Sequence, residues 1–204
     1  MRKNLLAICL VLGLRGVAHA QGSDVSLGLK AGASLTDLVG ADATTYGKLF
    51  GFHGGLFANI GITNVVAFQP ELLYSQKGTK QPRNSNNPMD YAIDRFHYLD
   101  VPLAFHVNAN GLFFEAGPQV GILLAAKSKI GSTSSDVKYQ YNDLDVGYLA
   151  GIGYQRKAGL GIGLRYNGGF TNVRKEIDLG PVVVQPRSRN EAFQLYLTYS
   201  LNGR

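Results

Sequence analysis

Leu112-Phe113-Phe114-Glu115-Ala116-Gly117-Pro118-Gln119-Val120-Gly121-Ile122-Leu123-Leu124 is the stretch whose reading decides the fold. Its even positions hold Leu112, Phe114, Ala116, Pro118, Val120, Ile122 and Leu124, and the odd positions of its middle hold Glu115, Gly117, Gln119 and Gly121. A period of two puts the bulky apolar set on one face of a strand and the small or polar set on the other. Pro118 argues against a helix interior, because proline lacks the amide hydrogen and clashes with the preceding turn.

Working outward, the same alternation recurs seven more times, over 25–35, 50–60, 65–77, 95–107, 144–155, 160–172 and 191–202. Leu27, Leu29, Ala31 and Ala33 oppose Ser26, Gly28, Lys30 and Gly32, and Leu160, Ile162, Leu164 and Tyr166 oppose Gly161, Gly163, Arg165 and Asn167. The connections alternate in length. Residues 61–64, 108–111 and 156–159 are short and contain glycine, as hairpins do. Residues 36–49, 78–91, 129–143 and 173–188 are long and polar. An even strand count with short turns at one end and long loops at the other is the pattern of the bacterial outer membrane. Strands of ten or more residues also suit a tilted span, which needs about 9–11. The expected fold is therefore all-β: an eight-stranded antiparallel transmembrane β-barrel, an up-and-down meander over residues 21–204, located in the cell outer membrane.

Which face looks out follows from size. The polar face is rich in Gly and Ser and the apolar face is bulky, while eight strands enclose only a narrow interior. Small residues inside and large ones outside relieve that crowding. Phe68, Leu103, Phe114, Ile122, Leu164 and Leu197 are then expected to face lipid, with tyrosines and phenylalanines forming girdles near the strand ends. Lys30, Glu71, Asp100, Glu115, Asp145 and Arg165 fall inside, with Lys77 beside them. They are expected to form an ion-pair and hydrogen-bond network that plugs the barrel, since unpaired charges are costly to bury. The competing arrangement is a lipocalin-like soluble barrel with its aromatics inward and its glycines and charges toward water.

Composition agrees with an exported chain. Of 204 residues 45% are hydrophobic and only 17% charged, below the quarter to third expected of a soluble surface. Residues 1–20 read as a cleaved signal: Met1-Arg2-Lys3, an apolar run from Leu5 to Leu14, and a small-residue cleavage site at Ala18-His19-Ala20. That run is too short to cross about 30 Å of hydrocarbon as a helix, and no longer apolar stretch follows it. Without Arg2, Lys3 and Arg15 the net charge falls from +6 to +3, and no basic tract points to nucleic acid. Cys9 is the only cysteine and lies in the leader, which leaves neither a disulfide nor a thiolate nucleophile.

Ordered motifs carry a family resemblance: Gln69-Pro70-Glu71-Leu72-Leu73-Tyr74-Ser75-Gln76-Lys77-Gly78, Tyr98-Leu99-Asp100-Val101-Pro102-Leu103, Glu115-Ala116-Gly117-Pro118-Gln119-Val120-Gly121 and Leu164-Arg165-Tyr166. Together they resemble the PorT-like outer-membrane β-barrel domain family of Bacteroidetes-type bacteria, over essentially all of the chain after the leader. The resemblance implies a small barrel, mostly of unassigned function, with a founding kind associated with a protein-secretion and gliding apparatus. The C-terminal Tyr199-Ser200-Leu201-Asn202-Gly203-Arg204 offers Tyr199 as the aromatic that barrel-insertion machinery reads, with a short tail beyond it.

No catalytic group, metal site or cofactor is expected. His53, His97 and His106 lack ligand-like spacing. Gly40 to Lys48 has the wrong glycine spacing for a phosphate loop, with Leu49 where Ser or Thr is required. Gly161-Ile162-Gly163 lacks the third glycine of a dinucleotide fingerprint, and Asn142, Asp143 and Asp145 read as a solvated turn before a Ca²⁺ loop. The first functional reading is a membrane-anchored structural or surface-interaction module whose long loops meet an extracellular ligand. An accessory role in a secretion or surface-assembly apparatus comes second, and small-solute transport also competes. A small-barrel lipase, protease or acyltransferase would need a Ser–His–acid group at the rim, and none stands out. The loop cations Lys77, Lys80, Arg83, Lys127, Lys129, Arg174, Lys175 and Arg187 could meet lipopolysaccharide phosphates, though solvated loop charge is the simpler reading. Outer-membrane lipids, the insertion machinery and an extracellular ligand or secretion-system proteins are the expected partners.

Overall fold

Alternation turns into hydrogen-bonded strand over most of the computed structural model, which describes residues 25–41, 47–83, 91–156, 159–178, 180, 183–184 and 186–201. The signal reading, with Ala18 and Ala20, lies outside the described residues. The strands are β1 (Val25–Val39), β2 (Gly47–Gly61), β3 (Val66–Pro82), β4 (Tyr91–Ala109), β5 (Leu112–Ile130), β6 (Thr133–Asp136), β7 (Leu144–Gln155), β8 (Leu160–Gly169), β9 (Ile177–Asp178), β10 (Val183–Val184) and β11 (Arg189–Ser200).

The expected eight-stranded, up-and-down transmembrane barrel is corrected here. The structure has a nine-stranded antiparallel sheet in the order β4-β3-β2-β1-β11-β8-β7-β5-β6, and a separate two-stranded sheet of β9 and β10. The ninth strand arises where the chain reverses at Gly131, which has a φ of 57°. Residues Thr133–Asp136 then pair back onto Lys127–Ile130. This Ser- and Thr-rich stretch carries no apolar alternation, so periodicity reads it as loop. Beyond the linear order, β4 also pairs with β5. Each of the eight long strands thus has a hydrogen-bonded neighbour on both sides, and one face of every long strand looks into a shared interior.

Several strands outrun their apolar stretches at the long-loop end. β3 extends to Pro82, β4 begins at Tyr91 and β5 continues to Ile130, because backbone pairing persists through polar residues such as Lys80 opposite Ile93 and Ile93 opposite Lys129. At the other end, Ala109 pairs with Leu112 across Asn110 and Gly111, whose φ values of 51° and 89° make the two-residue turn that suits the right-handed twist of a hairpin.

Burial follows the period of two. Phe114, Leu164 and Leu197 are 52%, 59% and 60% exposed, whereas Glu115, Arg165 and Thr198 on the opposite parity are buried. Aromatic rings lying across glycines occupy much of the interior. Gly28 faces Phe57, Gly153 faces Phe113 and Gly163 faces Tyr196 on neighbouring strands. A Cβ at any of the three would collide with the facing ring. The inward glycines therefore make room for side chains from the next strand, and the interior is a packed one.

Candidate functional site

The interior is stratified along the strands. Nearest the short turns, Ser26 and Ser200 share a hydrogen bond between their hydroxyls, Asn59 donates to Gln69 over 3.0 Å, and Thr198 donates to Gln155 over 3.0 Å. A void of about 20 Å³ remains among these groups and the rings of Phe57 and Phe113, roughly the space of one water molecule.

Above them sits a cluster of four charges, one from each of β1, β3, β5 and β8. Arg165 donates from Nε and Nη2 to the two oxygens of Glu115 at 2.8 and 2.6 Å, and from Nη1 and Nη2 to the two oxygens of Glu71 at 2.8 Å each. The fork of one guanidinium thus holds two carboxylates in the bidentate geometry that distinguishes Arg from Lys. Lys30 donates to Glu71 at 2.8 Å, and Gln69 donates to the same oxygen at 2.8 Å. Tyr196 donates its hydroxyl to Glu115 at 2.8 Å, and its ring lies 3.8 Å below the Lys30 ammonium. His106 Nε2 is 3.2 Å from Glu115, close enough for an ion pair but not aligned for a hydrogen bond, and its ring stacks on Phe113. Two positive and two negative groups are all but fully buried here, and their formal charges cancel.

Closer to the long loops lies a second cluster around Lys77, which reaches Asp100 at 3.1 Å and Asp145 at 3.4 Å. Asn190 donates to Asp145 at 2.8 Å and to the Tyr98 hydroxyl at 3.3 Å. The structure therefore divides the six polar residues expected inside. Lys30, Glu71, Glu115 and Arg165 are brought together, whereas Asp100 and Asp145 gather on Lys77. A void of only about 10 Å³ borders this second group.

The uppermost layer is apolar: Leu38, Phe96, Tyr98, Leu123, Ala126, Tyr141 and Val173 form one buried cluster. Tyr141 comes from the connection between β6 and β7, and its hydroxyl donates to the buried Asp94 at 3.0 Å. Backbone bonds from Asn142 to Val173, from Val173 to Ser188 and from Lys175 to Gln140 tie the two long connections together over the layer. Sequence reasoning missed this cap. Its signal is a break in parity: Leu123 shares the parity of Glu115 and Gln119, Phe96 that of Asp100, and Leu38 that of Lys30, so each is apolar where the strand is otherwise polar. Above the cap, the loop end holds an open hollow of about 540 Å³, lined among others by Gln81, Asp94, Gln140, Tyr141 and Arg174.

The remaining candidates do not converge. His53 bonds Ser34 at 2.8 Å inside, and His97 meets the Tyr74 hydroxyl at 2.5 Å on the outward side. Asn142 donates to the backbone carbonyls of Asn172 and Arg174, Asp143 pairs with Lys138 at 3.4 Å, and Asp145 points into the Lys77 cluster, so these three do not share a cation. Among the described residues, no three His, Cys, Asp or Glu side chains are grouped to hold a metal ion. No helix among them is long and apolar enough to cross a membrane, which leaves crossing by strands untouched.

Comparison with known proteins adds the decisive observation: residues 19–175 match the family model of the outer membrane protein beta-barrel domain. The chain belongs to that family. Of solved structures, neisserial surface protein A is similar over 87% of this chain and 99% of its own, at 15% identity and a TM-score of 0.55, a likeness of fold. The attachment invasion locus protein Ail of Yersinia pestis is 14% identical over 86% of this chain and 98% of its own, with a TM-score of 0.47. No curated protein matches the chain. The protein is thus a small, sheet-rich member of an outer-membrane family, and its location is the outer membrane. The PorT-like resemblance is narrower than this family and rests on the four quoted motifs alone.

Proposed function

We propose that the protein is a membrane-anchored structural or surface-interaction module with a filled interior, acting through its long-loop end and not as a pore or a catalyst. The outward residues Phe68, Leu103, Phe114, Ile122, Leu164 and Leu197 would meet outer-membrane lipid, and the interior polar residues would serve as a plug. One observation carries the reading. Two unlike fillings, the Arg165 cluster and the apolar cap, occupy separate levels of the interior with the Lys77 cluster between them, and the voids described beside the polar levels are about 20 and 10 Å³. A hydrated ion or solute crossing such an interior would have to break paired charges and then open a packed apolar layer.

The loop-end hollow, with Arg174, Asp94 and Gln140 on its wall, supplies a polar surface on which an extracellular ligand or a secretion-system protein could dock. Electrical recording in planar bilayers tests the plug. The purified full-length protein should add no sustained conductance to that of the lipid alone, and a large stable conductance would sink the proposal.

A further inference from the structure

The outward rim of the sheet differs in charge from one side to the other. On the wall made by β1, β2 and β11, Lys48 and Arg189 are accompanied by Asp37 and Glu191. On the wall made by β3, β4 and β5, the strand positions just past the apolar belt carry Lys80, Arg95, Lys127 and Lys129, and among the described residues Asp136 of β6 stands opposite Lys127. Arg95 and Lys127 are direct cross-strand partners, and Lys80 and Lys129 both stand opposite Ile93, one pair further on. Arg95 is therefore the centre, with Lys127 beside it and the two other lysines on its diagonals, at roughly 7–8 Å.

Like charges facing each other across a sheet are destabilising, and only part of this patch is offset, by Asp136 opposite Lys127 and by the Tyr91 ring 5.4 Å from the Lys80 ammonium. Arg95 spends one nitrogen on the neutral amide of Gln76 at 3.0 Å. Among the described ion pairs none involves Lys80, Arg95, Lys127 or Lys129. Directly below lie Tyr74, hydrogen-bonded to His97, and the apolar row of Leu99, Ile122 and Leu144. A group that reverses the sign of the repulsion must be anionic, must lie beside the wall, and must tolerate an apolar surface immediately beneath.

We propose that this β3–β4–β5 rim binds the phosphate groups of outer-leaflet lipids, with Arg95 as the bidentate contact and Lys80, Lys127 and Lys129 around it. A lipid is favoured over a free anion because its acyl chains would lie on the apolar belt continuous with the patch. The proposal rests on the outward face meeting lipid, as proposed above.

The test uses the full chain in detergent, with lipid A as probe and retained lipid read by native mass spectrometry. Phosphorylated lipid A should be retained in preference to dephosphorylated lipid A, and more weakly as salt is raised. Arg95→Gln with Lys127→Gln should weaken retention roughly tenfold or more, while Lys48→Gln with Arg189→Gln on the opposite wall should leave it unchanged. Equal retention of both lipids, equal loss in the two double variants, or displacement by equimolar inorganic phosphate would each overturn the proposal. Gel-mobility change on heating checks folding. Should the first pair fail to fold, Lys80→Gln with Lys129→Gln leaves the Arg95–Gln76 bond intact and is held to the same outcomes. Failure of the unaltered chain to enter phosphatidylcholine nanodiscs would instead count against the lipid-facing reading itself.

Discussion

At mid-depth the interior is ionic, and at the long-loop end it is apolar. Around Arg165, four buried charges from β1, β3, β5 and β8 meet at 2.6–2.8 Å. Around Leu123, aliphatic and aromatic side chains from β1, β4, β5 and two loop connections fill the same cross-section. Both levels exclude space, but they do so with opposite dependence on partners. A buried charge is tolerable only while its counter-charge is present, whereas an apolar residue is needed only for its volume.

The comparison breaks most visibly at its ionic level. Arg165→Met leaves Glu71 and Glu115 facing each other with Lys30 as their single cation, and should destabilise the fold by about 3–5 kcal/mol. Denaturant unfolding in micelles, followed by circular dichroism and by heat-dependent gel mobility, measures it. A loss under about 1 kcal/mol would show that the cluster is dispensable. At the apolar level, Leu123→Ala removes volume and no charge, and the cost should be about 2–4 kcal/mol by the same measurement. Tyr141→Phe keeps the ring in the cap and deletes the hydroxyl's bond to Asp94, at about 1–2 kcal/mol. The exposed Lys138–Asp143 pair lies outside both levels, with side chains 40% and 69% exposed. Lys138→Gln should cost under about 1 kcal/mol, and a larger loss would mean that loop-end stability does not come from the cap.

The ionic level was legible in the sequence because its residues break a pattern: Glu115 and Arg165 are charges inside strands whose other parity is wholly apolar. What alternation could not assign was pairing. Asp100 and Asp145, like Glu71 and Glu115, lie on the inward face of their strands, but register sets them beside Lys77 instead of Arg165. The apolar level was hidden for the opposite reason. Leu123 and Leu124 are adjacent and both apolar, so the parity break at Leu123 is easily overlooked, and Tyr141 lies with Tyr139 in a polar connection that has no period to mark it as inward. The strand count erred for a related cause: β6 is built from Thr133, Ser134, Ser135 and Asp136, whose pairing depends on the turn at Gly131 and leaves no trace in hydropathy.

The four charges around Arg165 also bear on the order of biogenesis. Lys30, Glu71 and Glu115 are all synthesised before β8, and until Arg165 arrives their group holds two carboxylates against one ammonium. Packing β1 to β5 without β8 would bury a surplus anion, so this level of the interior is neutral only once β8 has joined it.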